Sequence, residues 1–161
     1  MFKKVVLAAM VAGSFGFAGC ASDGSSSDTG ATAAAGGAGA ADVFGKKIFL
    51  RGEISDPQWD AMPELLIQKV SDGVWKATAE MVVDWAPYKY KFADSAWTPG
   101  TNFGYATESA PGVFEFGGAP IVLNPNSKFE EVKVTPPADG RYDFFLEKQG
   151  DKFVTYVKAA Q

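Results

Sequence analysis

The chain has 161 residues with a formal net charge of −4, a single Cys and no His. The missing His excludes His-dependent nucleophilic triads and His-containing zinc sites, and the lone Cys excludes an internal disulfide. The acidic balance argues against nucleic acid as a partner, because such surfaces carry a stripe of Lys and Arg. Length alone favours one domain of ordinary size, with room for a tail.

The N-terminal segment has the pattern of a secretory signal. Lys3 and Lys4 form a basic start, and an apolar stretch rich in Ala and Gly runs from Val5 to Phe17. This stretch is shorter than the about 20 apolar residues that a membrane-spanning helix needs. We therefore expect residues 1–19 to be a signal peptide.

The single Cys of the chain follows this segment directly. The sequence Phe17-Ala18-Gly19-Cys20 resembles a bacterial lipobox, with Phe at the position where Leu is commonest. The resemblance implies that Cys20 is diacylated, for example with palmitate, and attaches the mature protein to a membrane. By the same analogy, Ala21 favours the outer membrane, on either of its faces. The alternative is an ordinary signal peptide followed by an incidental Cys.

A low-complexity segment separates Cys20 from the rest of the chain. Residues 21–43 comprise 8 Ala, 5 Gly, 4 Ser and 2 Thr, with three Asp and one Val. Such a composition has no apolar face to bury, so residues 20–43 are predicted to be a disordered tether behind the lipidated Cys.

Residues 44–161 have the composition and patterning of an all-β domain. These 118 residues hold 19 aromatic residues and show frequent alternation without long helical periodicity. Ser71-Asp72-Gly73 is typical of a hairpin turn, and Trp75 shares its face with small and apolar residues, which predicts a core position. The predicted strands cover residues 46–52, 65–70, 74–83, 88–93, 113–116, 129–135, 141–147 and 153–157. Seven to eight such strands predict an antiparallel β-sandwich, with a small barrel as the alternative.

Four segments of this domain carry recognisable motifs in a fixed order. The segments are residues 48–52 followed by Trp59, residues 73–79, residues 88–94 followed by Trp97 and by Asn102-Phe103-Gly104, and residues 137–144. Together they resemble the early-set immunoglobulin-like modules of starch- and glycogen-acting proteins, which include isoamylase-N domains, pullulanase modules and starch-binding lipoproteins. The resemblance covers most of residues 46–157 and implies an immunoglobulin-like sandwich that binds glucan without chemistry.

The resemblance also implies a carbohydrate site. In those families aromatic rings stack on the apolar faces of pyranose rings, while a Lys and amides bond the hydroxyl groups. Trp59 and Trp97 occupy the matching loop positions, Lys91 the matching strand position, and Asn102 is a nearby amide. Ser55-Asp56-Pro57-Gln58 departs from the usual lead into the first Trp.

Two of these residues also have a structural interpretation. Trp97 could cap the edge of the sandwich beside Phe103, and Lys91 could be a solvated strand residue. Trp85, next to a turn, has no counterpart in the matching modules and could be an additional exposed ring.

The leading hypothesis is a lipid-anchored, non-catalytic protein that binds α-glucan or maltodextrin, with an enzyme of the cell envelope as a further partner. It needs no cofactor, and no EF-hand-like loop predicts a metal site. One alternative is an envelope scaffold that kept the sandwich and lost the sugar site. Another is a small glycosidase, which needs two carboxyl groups at a defined separation and one raised pKa. Its candidate carboxylates are Glu108, Glu115, Glu130 and Glu131.

Overall fold

The computed structural model describes residues 44–161, so the predicted signal peptide, Cys20 and the tether lie outside the described residues. Ten strands follow one another along this part of the chain: β1 (Phe49–Gly52), β2 (Gln68–Ser71), β3 (Val74–Met81), β4 (Tyr88–Ala93), β5 (Asn102–Tyr105), β6 (Val113–Phe114), β7 (Ile121–Asn124), β8 (Val132–Val134), β9 (Gly140–Gln149) and β10 (Lys152–Ala159). Three single 3-10 turns span Pro63–Leu65, Val83–Trp85 and Thr107–Ser109. No helix among residues 44–161 has the length and apolarity to cross a bilayer.

The strands form two layers that share β5. In the first layer β4 pairs with β1 on one side and with β8 and β5 on the other, and β8 pairs in parallel with β6. The second layer has the order β2-β3-β9-β10-β7-β5, with every pair antiparallel. The path of paired strands runs from β2 to β6, so the layers form an open sandwich and not a closed barrel.

The core lies between the two layers and is rich in aromatic rings. Alternation along β4 turns Tyr90 and Phe92 inward, where both are fully buried. The ring of Tyr90 packs edge to face on Phe144 of β9, with their centroids 4.9 Å apart. Phe103 of β5 packs in the same way on Phe153 of β10, at 5.0 Å. These contacts join the two layers and confirm the all-β antiparallel sandwich that the alternation predicts.

The predicted hairpin and the predicted core position of Trp75 are also confirmed. Strands β2 and β3 pair as neighbours across the turn at Asp72-Gly73, and Gly73 has a φ of 74°, which favours glycine. The indole of Trp75 is 1 % exposed and lies 5.0 Å from the ring of Phe44. This packing explains why the Trp75 face carries small and apolar neighbours.

The predicted number of strands and some boundaries were wrong. The structure has ten strands where seven to eight were expected, because β5 and β7 are too short and too interrupted to show alternation. Gly104 interrupts the alternation of side chains along β5, and prolines stand on both sides of β7. Pro63–Leu65 is a 3-10 turn, so the strand expected from residue 65 begins at Gln68. Phe129, expected on a strand, lies in the loop before β8.

Candidate functional site

Two cationic side chains stand opposite each other on the first layer. Arg51 of β1 is in register with Lys91 of β4. Their neighbours Leu50 and Phe92 are fully buried in the core, so Arg51 and Lys91 project from the other face of the layer. Even there Arg51 is only 5 % exposed and Lys91 only 2 %. Charged side chains so deeply buried need specific partners. Backbone carbonyls of three loops over this face, the loop after β1, the loop after β4 and the loop before β8, supply them.

Two of these loops carry the tryptophans that the sequence singles out. Trp59 lies in the loop after β1 and Trp97 in the loop after β4. Their ring centroids are 6.3 Å apart, the ring planes are inclined by 46°, and both side chains are half-buried. Both backbones are in the left-handed region, with φ of 66° and 57°, which is unusual for bulky residues. The structure therefore brings Trp59 and Trp97 together as one angled pair.

A network around Asp94 holds the loop of Trp97. The amide and the hydroxyl of Thr98 donate to the two carboxylate oxygens of Asp94, at 2.8 and 2.6 Å. The Nζ atom of Lys46 donates to the same carboxylate at 2.9 Å. Burial alone would raise the pKa of Asp94, but the bonds from Thr98 and Lys46 outweigh it and lower that pKa to about 2. The turn is thus fixed by an ionised carboxylate.

Lys91 lies beside the ring of Trp97. Its Nζ atom is 5.7 Å from the ring centroid and donates to the carbonyl of Lys128 at 3.3 Å. Burial lowers the pKa of Lys91 to about 8, although the charges of Glu130 and Glu131 act in the opposite direction. Lys91 forms no ion pair within 4.0 Å among the described residues. An ammonium group with three donors therefore keeps capacity for further acceptors.

Asn102 lies on the same face of the first layer as Lys91. It pairs with Ala93 in the first layer, and its side chain is 6 % exposed. Its backbone bonds to Pro125 and Ser127 of the loop before β8 (residues 125–131), and its Oδ1 atom has no partner within the described part of the chain. Trp59 and Lys91 thus both lie beside the Trp97 ring, and Asn102 lies on the same face beneath the loop before β8, which also bonds to Lys91.

Two further residues at this place, Arg51 and Phe129, are not among the site residues predicted from the sequence. Arg51 contacts both tryptophan loops, and its position opposite Lys91 depends on the pairing of β1 with β4. Phe129 is 87 % exposed and follows Lys128, whose carbonyl accepts from Lys91. The carboxylate of Glu130 accepts from the amides of Lys128 and Phe129, at 2.7 and 3.0 Å. A Phe between charged residues could have indicated a loop, because such a pattern does not build a buried face.

Two of the carboxylates considered for glycoside hydrolysis, Glu108 and Glu130, lie in settings that favour ionisation. Hydrogen bonds, above all from the backbone of Lys128, lower the pKa of Glu130 to about 2. A hydrogen bond from its own backbone, followed by the surface pair with Lys152 at 3.2 Å, lowers the pKa of Glu108. A general acid for glycoside hydrolysis needs a raised pKa. Residues 44–161 also hold no cluster of three metal-ligating side chains.

Trp85 stands apart from the angled pair. It belongs to the 3-10 turn before β4, whereas Trp97 follows the other end of that strand. Its side chain is 71 % exposed, which makes it a surface ring outside the candidate site.

The chain matches no protein-family model, and no curated relative matches it. Among solved structures it is similar to the ligand-induced structure of AmyP-SBD, a starch-binding domain. The similarity covers 72 % of this chain and 74 % of that chain, with 18 % sequence identity and a TM-score of 0.49.

Proposed function

We propose that residues 44–161 bind carbohydrate without catalysing a reaction, through Trp59, Trp97 and Lys91. The observation that carries this proposal is the angled tryptophan pair with a buried, incompletely bonded ammonium group beside it. The indole rings can take the apolar C–H faces of sugar rings. A hydroxyl oxygen at their edge can accept from Lys91 where it takes the place of the Lys128 carbonyl that covers the ammonium group.

The geometry of the pair favours an α-glucan or maltodextrin as the ligand. The two ring planes are inclined by 46°, so they cannot both stack on a flat, ribbon-like glycan. An α-1,4-linked glucan curves, and successive glucose units present their faces at an angle to one another. We expect modest affinity, because two half-buried rings bury little ligand surface.

The affinity of the full-length chain for glycogen or amylose in native gels, with detergent throughout, tests this proposal. We expect wild-type migration to be retarded by the glucan and Trp97→Ala to lose most of that retardation. Trp85→Ala is the matched control, because it removes an exposed indole outside the site and should migrate as wild type does. Wild-type migration that the glucan leaves unchanged would contradict sugar binding and favour the alternative of an envelope scaffold.

We further propose that Cys20 carries the lipid that attaches this domain to the outer membrane. The basis is the sequence Phe17-Ala18-Gly19-Cys20, which lies outside the described residues. The anchor would hold the sugar site close to an envelope enzyme that acts on the same glucan. Labelling with a clickable palmitate analogue should tag the wild type and leave Cys20→Ser untagged. A tag on Cys20→Ser, or an untagged wild type, would contradict the proposal.

A further inference from the structure

Arg51 connects the two loops that carry the tryptophans. Its Nε atom donates to the carbonyl of Trp59 at 2.7 Å, and Nη1 donates to the carbonyls of Asp94 at 2.8 Å and Ser95 at 3.3 Å. Its guanidinium carbon lies 3.7 Å from the centroid of the Trp97 ring, a stacking distance. One side chain therefore binds the backbone of both loops and packs on one of the two rings.

The sheet fixes the backbone of Arg51 independently of the loops. Strand β1 pairs with β4 over four residues, and Arg51 stands opposite Lys91 within that pairing. The sheet thus fixes the Cα position from which the Arg51 side chain extends. The planar guanidinium group then sets the directions in which its N–H groups can donate. Lys could not replace it, because an ammonium group lacks the flat surface and the fixed fork that the two loops require.

The tryptophans need such a constraint because their own backbones are in an unfavourable region. Positive φ at Trp59 and Trp97 persists only where surrounding contacts hold it in place. The loop of Trp97 has its Asp94–Thr98 turn, while Trp59 is tied to the sheet by its amide, which donates to Gly52 at 2.9 Å. Arg51 alone among the described hydrogen-bond donors reaches the backbone of both loops.

We propose that Arg51 is a positioning residue that sets the distance and the angle between Trp59 and Trp97 before a glycan binds. This inference rests on the proposed sugar-binding function and names Arg51 as the residue that determines which glycans the site selects. The guanidinium covers one face of Trp97, so the glycan stacks on the opposite face. A fixed angle between the two rings favours curved glucans. It also removes the entropic cost of ordering the two loops and their tryptophan side chains when the glycan binds.

The test uses Arg51→Lys and Arg51→Met in the full-length chain, with Arg141→Lys as the matched control on the surface of β9. The first readout needs no glycan: it is the exciton couplet of the two neighbouring indoles in the circular dichroism spectrum. We expect both Arg51 variants to lose the couplet and Arg141→Lys to keep it. The second readout is affinity for maltoheptaose. It should fall about tenfold, as expected when two side chains must be ordered on binding instead of beforehand.

Thermal unfolding separates positioning from general damage. Arg51→Lys retains the charge and most of the volume, so we expect a cooperative transition and a folded domain even if Arg51→Met unfolds. A couplet retained in folded Arg51→Lys would overturn the inference, whether or not the wild type binds sugar. A lost couplet with unchanged affinity would also overturn it. If the wild type does not bind maltoheptaose, the sugar-binding proposal fails, and the couplet alone decides whether Arg51 positions the rings.

Discussion

The carboxylate of Asp94 closes the turn that presents Trp97 by accepting two bonds from Thr98. The amide of Thr98 lies 2.8 Å from Oδ1, and its hydroxyl lies 2.6 Å from Oδ2. Trp97 stands between these residues in the chain, with its backbone in the left-handed region. Because the acceptor is a charged group, the geometry of the ring depends on the ionisation of Asp94.

Asp94→Asn should therefore destabilise the domain in a manner that depends on pH. The folded pKa of Asp94 is about 2, below its ordinary value of 3.8. Its stabilisation is present above pH 3.8 and is lost as the pH falls towards 2, a contribution of about 2 kcal/mol. We expect urea unfolding to show that loss for Asp94→Asn at pH 7 and almost none at pH 2. A deficit equal at both values would contradict the assignment, and the exposed Asp151→Asn serves as control.

The alternating strands could be predicted from sequence because their pattern is local. Tyr88, Tyr90 and Phe92 alternate with two Lys residues along β4, and the structure confirms that these aromatic side chains are buried. The same alternation places Lys91 on the opposite face of the strand. A solvated Lys was one interpretation of that pattern. It was wrong, because loops distant in sequence cover Lys91 and leave it 2 % exposed.

The remaining features of the site depend on contacts that the sequence does not display. Arg51 joins two loops only after β1 and β4 have paired, and no short motif marks it. Asn102 belongs to β5, a strand too short for alternation to reveal, and the backbone of the loop before β8 covers it. Phe129 lies in that same loop, where its exposure follows from the bonds that Glu130 makes.

Lys91→Met should stabilise the fold while weakening glycan binding. The folded pKa of Lys91 is about 8, below its ordinary value of 10.5, because burial disfavours the charge. At pH 7 Met removes this penalty, which corresponds to about 1–3 kcal/mol of unfolding free energy. Urea unfolding at pH 7 measures the gain, and native gels with glycogen should show reduced retardation. A variant that is less stable than the wild type would contradict the burial argument.

The same shift predicts how wild-type stability changes with alkaline pH. Between pH 8 and 10.5 the unfolded chain binds the proton of Lys91 and the folded chain does not. The contribution of this group to the free energy of unfolding therefore rises with pH across that window. We expect the difference between Lys91→Met and the wild type to shrink as the pH rises from 7 to 10. Equal unfolding curves for the pair at all pH values would argue against a lowered pKa.

Phe129→Ala should weaken glucan retention without affecting stability. The side chain is 87 % exposed, so its truncation removes almost no buried surface, and we expect a change within about 0.5 kcal/mol in unfolding free energy. The loop is ordered by Glu130 and adjoins Lys91, so the ring can contact a glycan that extends beyond Trp97. We expect a several-fold loss of affinity for maltoheptaose and a smaller loss for maltose. Equal affinity of wild type and variant for both sugars would remove Phe129 from the site.

Tyr90 and Thr155 provide a test of how the two layers are joined. Their hydroxyl oxygens are 3.0 Å apart, and both residues are fully buried. Tyr90→Phe or Thr155→Val alone leaves a buried hydroxyl without this partner, at a cost of about 1–3 kcal/mol, whereas the double variant leaves none. We expect denaturant unfolding of the four proteins to show a double variant more stable than the sum of the single changes predicts. Strictly additive losses would show that this hydrogen bond does not couple β4 to β10.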